Sequence, residues 1–199
     1  MKRLLILFLC SIVPFLGFAK FKIKKTINDD NIQINVVEKY VWKQAFSFKF
    51  MSARVVGISI DGRPSYFLLL SVHVDKDEFI NENLLLKMAN DSIVELPFAY
   101  STMKTCKIEE DDVDEYSKIF MKYANDYDLD DDIFAYHVSE ELMPLLIEGK
   151  IQKLRIVHKN GFDDMPVFPK AISEYLKESK ELVEKAIKER KEFSKYKGF

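Results

Sequence analysis

The chain has 199 residues, with 30 Lys and Arg against 32 Asp and Glu, 48% hydrophobic and 31% charged residues, 6 Gly, 6 Pro and 2 Cys. These figures exclude a disordered, collagenous or disulfide-stapled chain, and the length fits one domain. A formal net charge of −2 lacks the basic excess that phosphate binding draws on, so no nucleic-acid partner is expected.

Lys2 and Arg3 precede an apolar run from Leu4 to Phe18, and Gly17-Phe18-Ala19 puts small residues at the −3 and −1 positions of a cleavage site. The run falls short of the roughly 20 residues that span a bilayer and is interrupted by Pro14 and Gly17. Residues 1–19 therefore read as a signal peptide. Residues 20–199 read as a single exported domain, periplasmic or extracellular, with no transmembrane helix in the mature chain. Cys10, in Leu7-Phe8-Leu9-Cys10, lacks the small residues that precede a lipoprotein cysteine. Cleavage would leave 180 residues of net charge −4, with Cys106 as the remaining thiol. Such a domain must be held by its core rather than by crosslinks. No flanking His or Gly-rich turn supports Cys106 as a nucleophile, and it reads as a small strand residue.

From Asn31 to Phe98 apolar residues alternate with polar ones, the period of half-buried strands. Ile32, Ile34 and Val36 share a parity that continues through Trp42, Phe46, Phe48 and Phe50, read as one strand from Trp42 to Phe50. Val56, Ile58 and Ile60 run into the turn cluster Asp61-Gly62-Arg63-Pro64, and the chain returns as Tyr66, Leu68, Leu70, Val72 and Val74. These even positions are expected to share one face, with His73 and Ser71 opposite. In the next hairpin Met88 is expected to face Val94, Leu86 to face Leu96, Leu84 to face Phe98, and Lys87 to meet Glu95. The alternative parity would move a whole apolar set to the wet face.

Eleven acids crowd between Glu109 and Asp132 against Lys118 and Lys122, so this stretch carries −9 and the rest of the mature chain +5. Within it, Tyr116 to Tyr123 fits both a helical stripe and a strand. Ile133 to Val138 reads as a strand. Ser139-Glu140-Glu141 then starts a short helix through Ile147, made irregular by Pro144 and ended by Gly149. Ile151 to His158 is a further strand, turned by Asn160-Gly161. Pro169 opens a long helix, 169–196, with the stripe Ile172, Tyr175, Leu176, Leu182, Val183, Ala186, Ile187 and Phe193.

The expected fold is α+β but mainly β: an antiparallel β-sandwich or strongly curved sheet, with a long C-terminal amphipathic helix and one short helix. The hairpin from Leu84 to Leu96, the strand Ile151-Gln-Lys-Leu-Arg-Ile156 and the terminal helix together resemble small exported β-rich proteins of Gram-negative bacteria. That resemblance implies no catalytic residues.

Motifs that carry chemistry are sparse. Asp126, Asp128, Asp130, Asp131 and Asp132 alternate like the start of a calcium loop, but Asp131 stands where the sharp turn needs Gly and His137 where a bidentate Glu belongs, which leaves a solvated acidic loop or, as an alternative, a looser Ca²⁺ site. Zinc would need His73, His137, His158 and Cys106 to converge from distant positions. No Gly-x-Ser-x-Gly elbow, phosphate-binding glycine loop, Cys-x-x-Cys pair or His-Glu-x-x-His helix occurs. No catalytic, cofactor-binding or metal-binding residue is assigned, and no cofactor. The expected function is a non-catalytic binding or interaction module of the bacterial envelope whose partner is an unknown protein. Two alternatives are a binder of a small apolar ligand such as a lipid, lined by some of the 16 Phe and 9 Tyr, and a hydrolase whose carboxylate and histidine come from separate strands. The mixed charges of the last helix beyond Leu182, including Lys185, Lys188, Arg190 and Lys191, offer a further partner surface.

Overall fold

The computed structural model describes residues 21–43, 50–72, 80, 82–102, 113–127 and 133–196. In chain order the elements are β1 (Ile23–Asp29), β2 (Ile32–Val37), β3 (Tyr40–Lys43), β4 (Phe50–Ile60), β5 (Arg63–Val72), β6 (Leu84–Met88), β7 (Ile93–Leu96) and β8 (Phe98–Ser101). There follow α1 (Glu115–Lys122), a 3-10 turn at Ala124–Asp126, β9 (Ile133–Val138), α2 (Leu142–Gly149), β10 (Ile151–His158), β11 (Gly161–Pro166) and α3 (Pro169–Tyr196). One antiparallel sheet runs β1-β2-β4-β5-β9-β8, with β3 also paired to β4, and a second runs β11-β10-β6-β7. The two stack in a sandwich-like arrangement, as the alternating strands and terminal helix predict.

The first sheet is covered on both sides. One face carries Val55, Tyr66, Leu68, Leu70, Phe134 and Tyr136 into a core shared with Leu84, Leu86, Leu154 and Ile156 of the second sheet and with α2 and α3. The other carries Val56, Ile58, Phe67, Leu69 and Ala135 against Ile119 and Phe120 of α1 and Tyr127. Odd and even positions of β4 and β5 are therefore both apolar.

Register follows from the turns. Asp61 and Gly62 both have positive φ, 50° and 78°, so the turn is a two-residue one that pairs Ile60 with Arg63 and Ile58 with Ser65. Val56 and Ile58 thus share a face with Phe67 and Leu69, not with Tyr66 and Leu68 as expected. In the β6–β7 hairpin the predicted parity holds, but the pairs slip by two residues: Leu84 faces Leu96, Leu86 faces Val94, Leu85 meets Glu95, and Lys87 meets Ile93. The cause is a three-residue loop closed by Met88 N–H to Ser92 O, with Asp91 left-handed at φ 64°. Lys43 pairs antiparallel with Phe50, so Trp42 and Phe50 belong to two strands rather than one, and residues 44–49 lie outside the described set. The turn after β10 consists of Lys159 and Asn160, with Gly161 already in β11.

Tyr116 to Lys122 is helical, with Tyr123 as the C-cap. Asp114 caps α1 by accepting from Ser117 N–H at 3.0 Å, and Ile119 and Phe120 bury on the sheet at helical spacing. Helix α2 runs regularly through Pro144, because its first turn needs no donor there; Ser139 accepts the Leu142 N–H at 3.4 Å. Helix α3 spans Pro169–Tyr196 and buries Ile172, Tyr175, Leu176, Val183 and Ile187, while Phe193 is exposed. Each buried aliphatic of that stripe contributes about 1.5–3 kcal/mol.

Candidate functional site

The turn that fixes the β4–β5 register also places Ser65 on the α1 side of the sheet. Pairing of β5 with β9 sets Phe67 opposite His137, so Ser65 and His137 are diagonal neighbours on that face. Asp114, the α1 cap, arrives from above. Ser65 Oγ lies 2.6 Å from His137 Nε2, and His137 Nδ1 lies 3.4 Å from Asp114 Oδ2. The imidazole stacks with Phe67, 5.1 Å between centroids, and with Tyr116, 6.3 Å, whose hydroxyl donates to Arg63 O at 3.2 Å.

The electrostatics of this trio are directional. Burial depresses the His137 pKa below its ordinary value, outweighing the opposite pull of Asp114. The Asp114 carboxyl is pushed up by burial, but hydrogen bonds from the Ser117 side chain and from the Ser117 and Tyr116 backbone N–H groups, with the charge His137 carries when protonated, prevail and hold it below the ordinary carboxylate value. At neutral pH the trio is thus a hydroxyl donating to a neutral imidazole, with the ring proton on Nδ1 toward an ionised carboxylate. Those are the roles of nucleophile, base and orienting group in acyl transfer. Ser65 is 3% exposed and the His137 side chain 17% exposed.

A second feature lies on the outer face of the second sheet, where no described helix packs. Leu85, Lys87, Ile93, Lys153, Arg155 and Asp164 line a groove of about 280 Å³. Asp164 accepts from Arg155 Nε at 2.7 Å and from Arg155 Nη2 and Lys153 Nζ at 3.0 Å, so Arg155 first and Lys153 second hold its carboxyl well below the ordinary range. Arg155 stacks on Phe162 at 3.6 Å from the ring centre, and Ile93 and Phe162 are more than half exposed.

The remaining candidates are dispersed. His158 closes β10 in the second sheet, far in topology from His137 on β9. His73, Cys106, Asp128 and Asp130 to Asp132 lie outside the described residues. Among the described residues no three His, Cys, Asp or Glu side chains gather as a metal cage. The far end of α3 is engaged with the sheet: Arg190 donates to Ile32 O and Asp30 O, and Lys191 to Gly62 O at 3.3 Å. These residues border a surface groove of about 250 Å³. The aromatics pack on one another, Phe21 and Tyr40 against Tyr175 of α3, and Phe67 and Tyr127 against Phe120 of α1.

Sequence reasoning missed the trio because positions 65, 114 and 137 form no local motif. The usable signal was indirect: Asp114 three residues before Ser117 is a helix-cap pattern, and a two-residue Asp-Gly turn fixes which face receives Ser65. No helix among the described residues is long and apolar enough to cross a membrane. No protein-family model, curated protein or solved structure matches the chain.

Proposed function

We propose that the chain is an exported binding domain of the bacterial envelope, which holds an extended segment of a partner protein across the outer face of its second sheet. The supporting observation is the pairing of exposed apolar side chains, Ile93 and Phe162, with the cations Lys87, Lys153 and Arg155 on one uncovered sheet face. An exposed apolar patch rimmed by charge is the usual mark of an interaction surface. Lys87 is paired with Asp91 at 2.8 Å, while Lys153 and Arg155 share the one carboxylate of Asp164, and that cationic excess favours an occupant with acidic and apolar side chains. An extended segment suits the site because its alternate side chains fall on one side, spaced like the rows of the sheet beneath.

The test is an amide-resolved NMR titration of the folded protein with a short synthetic peptide alternating Glu and Val. Shifts are expected at residues 85, 87, 93, 153, 155 and 162. They should weaken at high salt and vanish with Arg155→Glu combined with Phe162→Asp. Signals on this face that stay unmoved at millimolar peptide overturn the reading. Export is tested separately by the mass of the N-terminal peptide from a native host, where a start at Lys20 is expected and a retained Met1 refutes it.

A further inference from the structure

We propose that Ser65, His137 and Asp114 form a serine acyl-transfer centre, an activity separate from the binding face, acting on compact carboxylic esters. The geometry carries it. The Ser65 hydroxyl is 2.6 Å from the one ring nitrogen able to accept its proton, and the other ring nitrogen is 3.4 Å from a carboxylate. The three groups come from three elements, β5, β9 and the cap of α1, so their convergence is tertiary and not a by-product of one turn. His137 packs against Phe67 and Tyr116, both within 25° of parallel to its ring, which restrains the plane that serves Ser65.

In the proposed step Ser65 Oγ attacks the ester carbonyl carbon while its proton passes to His137 Nε2. The bond from that carbon to the alcohol oxygen breaks, and the imidazolium returns the proton to the departing alkoxide. Water then attacks the acyl-Ser65 ester with the same histidine as base, releasing the acid and restoring the hydroxyl. Asp114 acts through His137 as a positioning residue, facing the positive charge as it forms. Because Ser65 is 3% exposed and Tyr116 stacks on the His137 ring, the proposal is confined to small acyl groups.

The experiment treats the full folded protein with a short-chain alkyl fluorophosphonate and, separately, with p-nitrophenyl acetate. One adduct per chain is expected, mapped to Ser65 by peptide mass. Its rate should fall as pH drops through the histidine range. His137→Gln should slow it about a hundredfold or more. Asp114→Asn, which keeps a capping side chain, should slow it and move the pH profile downward, as the imidazolium loses its counter-charge. Absence of an adduct on folded wild-type protein overturns the proposal, as does an adduct on another residue. A pH-independent rate on wild-type protein does the same without recourse to any variant.

Discussion

The Tyr175 hydroxyl accepts the Val55 N–H at 3.0 Å, and it donates to Glu38 O at the same distance. Val55 sits where β4 changes partners, between its ladder with β3, which ends at Ala53, and its ladder with β2, which begins at Val56. The side chain of α3 therefore supplies the bond that the sheet omits at this break, and burial raises its phenol pKa to about 12. Tyr175→Phe should cost about 1–3 kcal/mol, the desolvation cost of the orphaned backbone groups. Urea melts of the two proteins measure it, and an unchanged midpoint would show that water replaces the hydroxyl.

Tyr66 makes the opposite case in the same core. It is fully buried, and its hydroxyl has no hydrogen-bond partner among the described residues. Burial raises its pKa far above the ordinary tyrosine value, with Glu184 and Glu140 adding to the effect. Tyr66→Phe should be neutral or stabilising by up to about 1 kcal/mol, since it removes an unpaired polar atom and leaves the ring. Loss of more than that in the same melts would reveal a bridging water.

The contrast shows how far a sequence of this kind can be read. Helix α3 was legible end to end because Pro169 marks its start and Ile172, Tyr175, Leu176, Val183 and Ile187 recur at helical spacing. The first sheet was legible as strands but not as faces. Val55 and Val56, or Phe67 and Leu68, are all buried, since α1 covers one side and the second sheet with α3 the other. A pattern buried on both faces no longer reports which parity points where. The turn residues Asp61 and Gly62 held that information for β4 and β5 and put Ser65 on the face of Val56 and Ile58, but its place beside His137 depends on the long-range pairing of β5 with β9, which no local signal carries.

Close approach of α3 to β4 gives a third prediction. A Cβ on Gly57 would lie 2.4 Å from Val183 Cγ1 and 2.6 Å from Cγ2, and Val183 is fully buried. Gly57→Ala should destabilise by about 1–3 kcal/mol through overpacking. Val183→Ala should destabilise too, by opening a cavity. In the double variant the new methyl occupies the space the old ones left. A double-mutant cycle should therefore give a loss smaller than the sum of the two, and strict additivity would deny the contact.

Acid stability gives the last prediction, through His137. Its folded-state pKa is lowered from the ordinary 6.5 by burial, despite Asp114, so the unfolded chain binds the proton more readily. The stabilising contribution is complete above the unfolded value, where the ring is neutral in both states. It is lost as pH falls from about 6.5 toward the lower folded value. The Asp114 carboxyl, also held below its ordinary 3.8, loses its share in a separate window beneath that value. Melting temperatures should therefore drop between pH 7 and pH 5 in the wild type, before any carboxylate window is reached. His137→Gln, whose amide oxygen can still accept from Ser65 but does not titrate, should flatten that interval, while the more acidic one should persist, narrowed, because Ser117 still holds the Asp114 carboxyl down. Parallel slopes for the two proteins between pH 7 and pH 5 would assign the acid sensitivity to another group.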